Sequence, residues 1–233
     1  MKPPPLNQIE RHQQLRAAET KALQLFAEVE TRQLVRAGVP ESVLNAQVYA
    51  LASELFGVKK YWHKRIVRAG ANTLHPYREN PPDRLIQPDD IVFFDFGPVF
   101  EDWEADLGRT YVLGNDPIKA RIRQDVEEAW HVAKAHFMAT PDITGAALYR
   151  FVVELTHSLG WEYPQAHCGH LIGNFPHEEL FGEDLENYIH PENRTRMRDP
   201  DKSGNPRDWI LEIHFVDRPR QIGGFFEQLL NVD

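Results

Sequence analysis

Two aspartates eleven residues apart are the first side chains in this sequence that point to chemistry. Asp95 ends an apolar run at 91–94, and Asp106 opens a second strand-like run at 106–113. The residues between them include a Gly-Pro pair and two adjacent acids, which are typical of a turn. A hairpin centred near residues 100 and 101 would place Asp95 opposite Asp106 on one face of a sheet. Because opposed carboxylates repel each other, this segment predicts either a cation between them or a solvated turn.

Two later histidines are candidate partners for these carboxylates. His170 lies in the run Gly-His-Leu-Ile-Gly at 169–173, where glycine permits close approach of the backbone. His177 follows seven residues later. A lone histidine beside an apolar run is more often a structural hydrogen-bond partner than a metal ligand, so neither histidine indicates a metal site by itself.

The last part of the chain predicts a hairpin that carries three ionisable side chains. Glu212 and His214 share one face of its first strand, and Glu227 lies in its second strand. Charges in such apolar strands are costly unless they are paired or bound to metal. The alternation defines the face but not the register, because Glu227 opposite either Glu212 or His214 gives the same face. A solvated charged face remains the plain interpretation for Glu212 alone.

Composition limits the classes of function. The chain has 233 residues, 42% of them hydrophobic, and a formal net charge of −9. The size and hydrophobic content favour one domain with a real core, and the acidic balance argues against nucleic acid as a partner. One cysteine, Cys168, excludes an internal disulfide and favours a reducing compartment. We find no signal-peptide pattern at the start and no run long enough to span a membrane, so a cytoplasmic protein is expected.

The hydrophobic periodicity predicts two rounds of helix, helix and strands. Helices are predicted at 7–37, 40–57, 117–139 and 144–159, and strand-like segments at 61–67, 73–74, 91–96, 105–112, 163–172 and in the hairpin 209–230. This order indicates an α+β fold in one domain over 1–233, with an N-terminal helix within 1–40. The polar segment 181–207 is predicted to be a surface insertion or a lid, and the N-terminal helix could mediate a homodimer.

Five motifs in the right order resemble the pita-bread metallohydrolases, which include methionine aminopeptidase, Xaa-Pro aminopeptidase, prolidase and the metal-free creatinase. The spacing of Asp95 and Asp106 matches, as does the glycine two residues after Asp95. The other matches are Asp-Leu-Gly-Arg-Thr at 106–110, Gly-His-Leu-Ile-Gly at 169–173 with His177 downstream, Gly-Phe-Phe-Glu ending at Glu227, and Leu-His-Pro-Tyr-Arg-Glu-Asn at 74–80. The last segment is similar to one in the proline-specific members that supplies a substrate-side histidine, here His75.

The resemblance implies a fold of two pseudo-symmetric halves, each with helices packed on an antiparallel sheet. It also implies a hydrolase with two divalent ions (manganese, cobalt, iron or zinc) that share a bridging hydroxide. This hydroxide would cleave an N-terminal peptide bond, with Xaa-Pro substrates slightly preferred. The implied metal ligands are Asp95, Asp106, His170, Glu227, and either Glu212 or His214. The implied catalytic residues are His75, His177 and Glu212.

The choice between Glu212 and His214 is the main departure from the family pattern. Hydrophobic alignment places His214 where the family has a glutamate before proline, and a shift of two residues restores Glu212. We favour Glu212, because two cations require anionic ligands, but His214 stays open. His214 also keeps open a creatinase-like hydrolysis of a C–N bond in a small non-peptide amide.

Two further alternatives are a non-catalytic binding module on the same fold and a protein stabilised by calcium or magnesium. The histidines argue against the latter, because hard cations take oxygen ligands. The remaining histidines His63, His157 and His167 are interpreted as structural or exposed, and Cys168 as a small buried residue.

Overall fold

Helices and strands follow one another in the order that the sequence predicts. The computed structural model describes residues 7–176, 184–202 and 204–232. The helices are α1 (Gln8–Thr31), α2 (Glu41–Phe56), α3 (Pro117–Ala139) and α4 (Gly145–Ser158). The strands are β1 (Ile66–Ala69), β2 (Ile91–Phe96), β3 (Val99–Phe100), β4 (Trp103–Glu104), β5 (Leu107–Val112), β6 (Gly169–Leu171), β7 (Trp209–Asp217) and β8 (Ile222–Leu229).

Side chains at the helix ends explain where the helices begin and end. The Asn7 side chain accepts a hydrogen bond from the Glu10 N–H, and the Glu10 carboxylate accepts one from the Asn7 N–H, which forms a capping box at α1. The side chains of Asp116 and Thr144 cap the N-terminal ends of α3 and α4 by accepting hydrogen bonds from backbone N–H groups. Gly57 ends α2 with a φ of 66°, a conformation that costs glycine little.

The sheet joins the two halves of the chain. Six strands form one antiparallel sheet in the order β1-β2-β5-β8-β7-β6, and β3 and β4 form a separate two-stranded hairpin. The first three strands of the six come from the first half and the last three from the second. The halves meet where Gly108 of β5 pairs with Glu227 of β8. The predicted α+β class with two similar halves is confirmed, and the two halves share a single sheet.

Alternation along the strands separates the core from the site. Phe94 of β2 is buried in the first core with α1 and α2, while its neighbour Asp95 faces the other side of the sheet. Leu211 of β7 is buried in the second core with α3 and α4, while Glu212 faces the side of Asp95. Each fully buried apolar side chain contributes about 1.5–3 kcal/mol, so the two cores hold the helices against the face of the sheet opposite Asp95 and Glu212.

The hairpin after β2 corrects the predicted register. Asp95 pairs with Gly108 and not with Asp106. The turn is centred on Glu101 and Asp102, whose φ angles of 52° and 70° are those of a tight two-residue turn. When the centre of a hairpin moves by half a residue, every cross-strand partner shifts by one position. Here the centre lies one residue later than predicted, so every partner shifts by two positions. Because two residues make one full strand period, Asp95 and Asp106 still share a face.

Other boundaries differ from the predictions, among them the segment predicted at 163–172, where only Gly169–Leu171 forms a strand. Helix α1 ends at Thr31, since Gln33 adopts a φ of 51° that no α-helix tolerates. The strand expected at 61–67 begins only at Ile66, and residues 73–74 belong to a 3-10 helix (Gly70–Leu74).

The predicted surface insertion at 181–207 is partly wrong for its described residues. Ile189 and Met197 are fully buried in the second core, and Asn193 is buried beside Gly145 at the start of α4. This segment therefore packs as part of the second half, because its few apolar side chains fill that core. Among the described residues, no helix has the length and apolar character that crossing a bilayer requires.

Candidate metal centre

Asp106 lies at the middle of a buried cluster. Its Oδ1 is 3.1 Å from His63 Nε2, and its Oδ2 is 3.2 Å from His170 Nε2. Asp95 Oδ1 lies 3.5 Å from His63 Nε2, and Glu227 Oε1 lies 3.8 Å from His170 Nε2. Two triads of possible ligands therefore share Asp106: one with His63 and Asp95, the other with His170 and Glu227.

The junction of β5 and β8 brings residues from the two halves together. A Cβ added at Gly108 would lie 2.4 Å from the ring of Phe225, so only glycine allows β8 to approach β5 so closely here. Thr110 strengthens the same junction: its Oγ1 donates to the Phe225 carbonyl and accepts from the Phe225 N–H. As a result, Glu227 lies beside the strand that follows Asp106.

The cluster is electrostatically costly as it stands. Burial raises the pKa of Asp95 to about 7, because the nearby Asp106 charge adds to the desolvation and the His63 charge only partly opposes it. Burial likewise raises the pKa of Glu227 well above its usual range. Burial also acts on Asp106, but the charges of His63 and His170 outweigh it and lower its pKa to about 2. Several carboxylates thus compete for little positive charge.

The donor set fits divalent metal ions. Glu227 Oε2 is buried and has no hydrogen-bond partner among the described residues, an arrangement that is costly unless a cation contacts this oxygen. Carboxylate oxygens combined with imidazole nitrogen suit manganese, cobalt, iron or zinc. His170 Nδ1 donates to the Leu171 carbonyl 2.9 Å away, which leaves Nε2 free to face the carboxylates.

The hairpin of β7 and β8 distinguishes Glu212 from His214 by their contacts. Glu212 lies opposite Glu227 in the register of β7 and β8, and its Oε1 lies 2.8 Å from His167 Nδ1. His214 turns elsewhere: its Nε2 is 2.9 Å from the Thr73 carbonyl, and its Nδ1 is 3.3 Å from the Gln165 amide nitrogen. Burial lowers the pKa of His214 to about 4, so this ring is neutral near pH 7.

His75, one of the two remaining predicted site histidines, lies outside the cluster of contacts. His75 pairs with Glu79 and is substantially exposed. The same segment contacts the centre through Tyr77, whose ring lies 5.8 Å from that of His63. His177 lies outside the described residues.

Two histidines that we interpreted from sequence as structural or exposed contact the site carboxylates. His63 lies on Asp95 and Asp106, and His167 lies on Glu212. No local motif marks either residue. The one indirect signal for His63 is Gly97, because the glycine leaves space that the imidazole fills.

Comparison with known proteins identifies the family. The sequence model of the metallopeptidase family M24 matches residues 13–201. The chain belongs to the metallopeptidase family M24. The matched M24 region includes Asp95, Asp106 and His170 and ends before the β7–β8 hairpin. The expected pita-bread fold is thereby confirmed.

Relatives of this M24 chain fall into two groups. It is 29% identical over 145 residues to a Xaa-Pro dipeptidase from Lactobacillus helveticus, covering 62% of this chain and 39% of that protein. It is 28% identical over 124 residues to a methionine aminopeptidase from Mycoplasma capricolum, covering 51% of this chain and 46% of that protein. The chain therefore spans less than half the length of these curated relatives.

Solved structures share the fold. A dipeptidase from Pyrococcus horikoshii superposes with a TM-score of 0.74 at 23% identity, over 94% of this chain and 56% of that one. A methionine aminopeptidase from Thermotoga maritima superposes with a TM-score of 0.70 at 16% identity, over 97% of this chain and 94% of that one.

Proposed function

We propose that this protein is a metal-dependent peptidase that removes or separates an N-terminal residue, with Xaa-Pro substrates preferred. The observation that carries the proposal is the shared position of Asp106 between two ligand triads, in a pocket where Glu227 keeps an unpaired buried oxygen. Such a set of carboxylates and imidazoles would suit the binding of two divalent cations.

The residues that would hold two divalent ions are Asp95, Asp106, His170, Glu212 and Glu227. When bound, such ions supply Lewis acidity and make water a better nucleophile near neutral pH. The contacts of His214 with Thr73 and Gln165 favour Glu212 over His214 as the remaining ligand. They also remove the observation that favoured a creatinase-like reaction.

Protein groups move the proton and orient the substrate. Glu212 accepts the proton released by the attacking water and returns it to the leaving amine. Burial would raise the pKa of Glu212, but the adjacent His167 lowers it, which keeps this carboxylate ionised and ready to accept. His75 and His177 donate hydrogen bonds to the substrate, and the contact of His75 Nδ1 with Glu79 leaves its Nε2 as the donor.

The preference for Xaa-Pro substrates rests on two observations. Residues 74–80 resemble the substrate-side segment of proline-specific members. Curated relatives named Xaa-Pro dipeptidase match a larger share of the chain than the methionine aminopeptidase does.

The test is a substrate panel with the protein loaded with Mn²⁺ or Co²⁺. We expect Xaa-Pro dipeptides to be cleaved faster than Met-initiated peptides, and chelation to stop both reactions. Asp106→Asn removes the charge that both triads share, so its kcat/KM should fall more than about 100-fold. The matched control is Asp142→Asn, an exposed aspartate that should retain wild-type activity.

Three results would contradict the proposal. Full activity of Asp106→Asn would exclude the metal mechanism. Faster cleavage of Met-initiated peptides would reverse the substrate preference. Metal binding without cleavage of any peptide would favour a non-catalytic module or a different C–N hydrolase.

A further inference from the structure

The loop before β1 carries a histidine whose position matches that of the metal-motif histidine. His63 Nδ1 is 2.7 Å from the Lys64 carbonyl, and His170 Nδ1 is 2.9 Å from the Leu171 carbonyl. In each case a ring nitrogen donates to the carbonyl of the next residue, which leaves Nε2 directed at Asp106. Holding the Nδ1 proton on a carbonyl is the usual way in which proteins present Nε2 to a metal.

The two imidazoles face different oxygens of the same carboxylate. His63 Nε2 lies near Asp106 Oδ1, and His170 Nε2 lies near Asp106 Oδ2. The Asp95 carboxylate lies on the His63 side, and the Glu227 carboxylate on the His170 side. Each half of the centre therefore offers one imidazole, one carboxylate of its own and one oxygen of Asp106.

The chain makes room for His63 with a glycine. A Cβ added at Gly97 would lie 2.4 Å from His63 Nε2 and 2.3 Å from Trp62 Nε1. Hydrogen bonds then fasten the loop: the Trp62 N–H donates to the Gly97 carbonyl, and the Trp62 indole N–H donates to the Ala105 carbonyl. His63 is thus held by Gly97, which follows β2, and by Ala105, which precedes Asp106, and its side chain is only 7% exposed.

His63 offers the centre a nitrogen ligand that His214 of β7 does not provide. His214 occupies the place where hydrophobic alignment expects a ligand, yet its two ring nitrogens contact Thr73 and Gln165. The nearby Glu212 lies on the β7–β8 hairpin opposite Glu227, so it adds to the Glu227 side of the centre. The Asp95 side then has two carboxylates and His63.

We propose that His63 is a metal ligand, and that its Nε2 binds the ion on the Asp95 side of the centre together with Asp95 and Asp106. This inference rests on the metal site of the proposed function. It makes the centre one with an imidazole on each ion, which favours cobalt, iron or zinc over a hard cation such as magnesium.

The test is the binding of Co²⁺ alone, measured by isothermal titration and by the visible absorption of the bound ion. We expect wild type to bind two ions per chain. His63→Ala should retain one site and weaken the other more than about 100-fold, since even indirect partners of metal ligands are worth 10–100-fold. Added imidazole should restore the lost absorption. His157→Ala, which removes an exposed histidine of α4, is the matched control and should bind like wild type.

A second measurement compares wild type with one further variant. In proton NMR spectra of the Co²⁺ protein, each bound imidazole gives one strongly shifted, exchangeable Nδ1–H signal. We expect two such signals, from His63 and His170. Gly97→Ala should remove one of them, because the added methyl group occupies the position of the His63 ring.

The outcomes separate this inference from the proposed function. Wild type with two ions and one shifted imidazole signal would overturn the role of His63 and leave the metal site intact. The same holds if His63→Ala binds both ions as tightly as wild type, or more tightly, since His63 would then act as a charge that the ions displace. Failure of wild type to bind Co²⁺ would overturn both proposals.

Discussion

At the residue scale, the two carboxylate oxygens of Asp106 connect the two sides of the centre. Its two carboxylate oxygens contact two different histidines at 3.1 and 3.2 Å, and it follows the hairpin turn directly into β5. A neighbouring position on the same face, Gly108, carries no side chain and admits Glu227. The centre thus depends on two alternate residues, Asp106 and Gly108, and on the side chain of Glu227 from the second half.

Glu212 and His214 lead to a comparison of two variants. Glu212→Gln should weaken metal binding more than about tenfold, because it removes a negative charge opposite Glu227. His214→Gln should leave metal binding unchanged but lower the free energy of unfolding by about 1–3 kcal/mol, since it disturbs buried contacts with Thr73 and Gln165. Metal titration and urea denaturation of both variants measure these effects. The reverse pattern would make His214 the ligand.

At the scale of elements, the contact between β5 and β8 joins the halves. Thr110→Val keeps the shape of the side chain but leaves the buried N–H and carbonyl of Phe225 without the Thr110 hydroxyl. We expect a loss of about 2–4 kcal/mol in the free energy of unfolding, measured by urea denaturation. Metal affinity should fall as well, because Glu227 lies two residues from Phe225 in the same strand.

Thr20→Val is the matched control for this change. Thr20 donates its hydroxyl hydrogen to the Arg16 carbonyl on the exposed side of α1. Its replacement should change stability by less than about 0.5 kcal/mol. Equal effects of the two substitutions would mean that Thr110 does not connect β5 to β8.

Helix α1 contacts β8 through a partly buried carboxylate whose effect depends on pH. Glu19 accepts a hydrogen bond from the Leu229 N–H, and burial raises its pKa above 4.5. A raised pKa means that the folded state holds the proton more tightly, so this group lowers stability as pH rises above 4.5. Glu19→Gln keeps an oxygen that can accept the same bond.

Glu19→Gln should therefore be more stable than wild type at pH 7, and this advantage should vanish below pH 4.5. Thermal unfolding of both proteins across this range measures the difference. An advantage that persists unchanged at low pH would point to packing instead of charge as its cause.

At the scale of the whole molecule, the centre lies where two separately covered halves of the sheet meet. Asp95 and Asp106 come from the first half, and His170, Glu212 and Glu227 come from the second. An ion bound to both groups would connect the halves across β5 and β8. Binding to the folded state alone must then raise the stability of the entire domain.

Metal removal tests this connection. With free Co²⁺ or Mn²⁺ at 100 times its dissociation constant, the folded state should gain about 2.7 kcal/mol, which corresponds to a rise in Tm of roughly 5–10 °C. Chelation should reverse the rise, and Asp106→Asn should show little of it. Calorimetric scans with and without the ion measure it, and an unchanged Tm in wild type would argue against a site shared by the halves.

Much of the fold and of the site could be predicted from periodicity and motifs. Apolar spacing predicted all four helices, and alternation placed Asp95 and Asp106, and likewise Glu212 and Glu227, on common faces. These features depend on local periods of the backbone, which a sequence carries directly. The motifs predicted four side chains that the structure brings into the centre: Asp95, Asp106, His170 and Glu227.

Other features depended on contacts between distant segments. The register of the first hairpin followed from the left-handed conformation of Glu101 and Asp102, and the packing of residues 189–197 followed from the space left in the second core. The choice between Glu212 and His214 required knowing that Thr73 and Gln165 occupy the imidazole. His63 entered the centre because Gly97, which follows β2, leaves space for its ring. The sequence by itself determined which faces and motifs exist, because these repeat along the chain; only the tertiary structure decided which side chains meet, because that depends on the space between segments far apart in the chain.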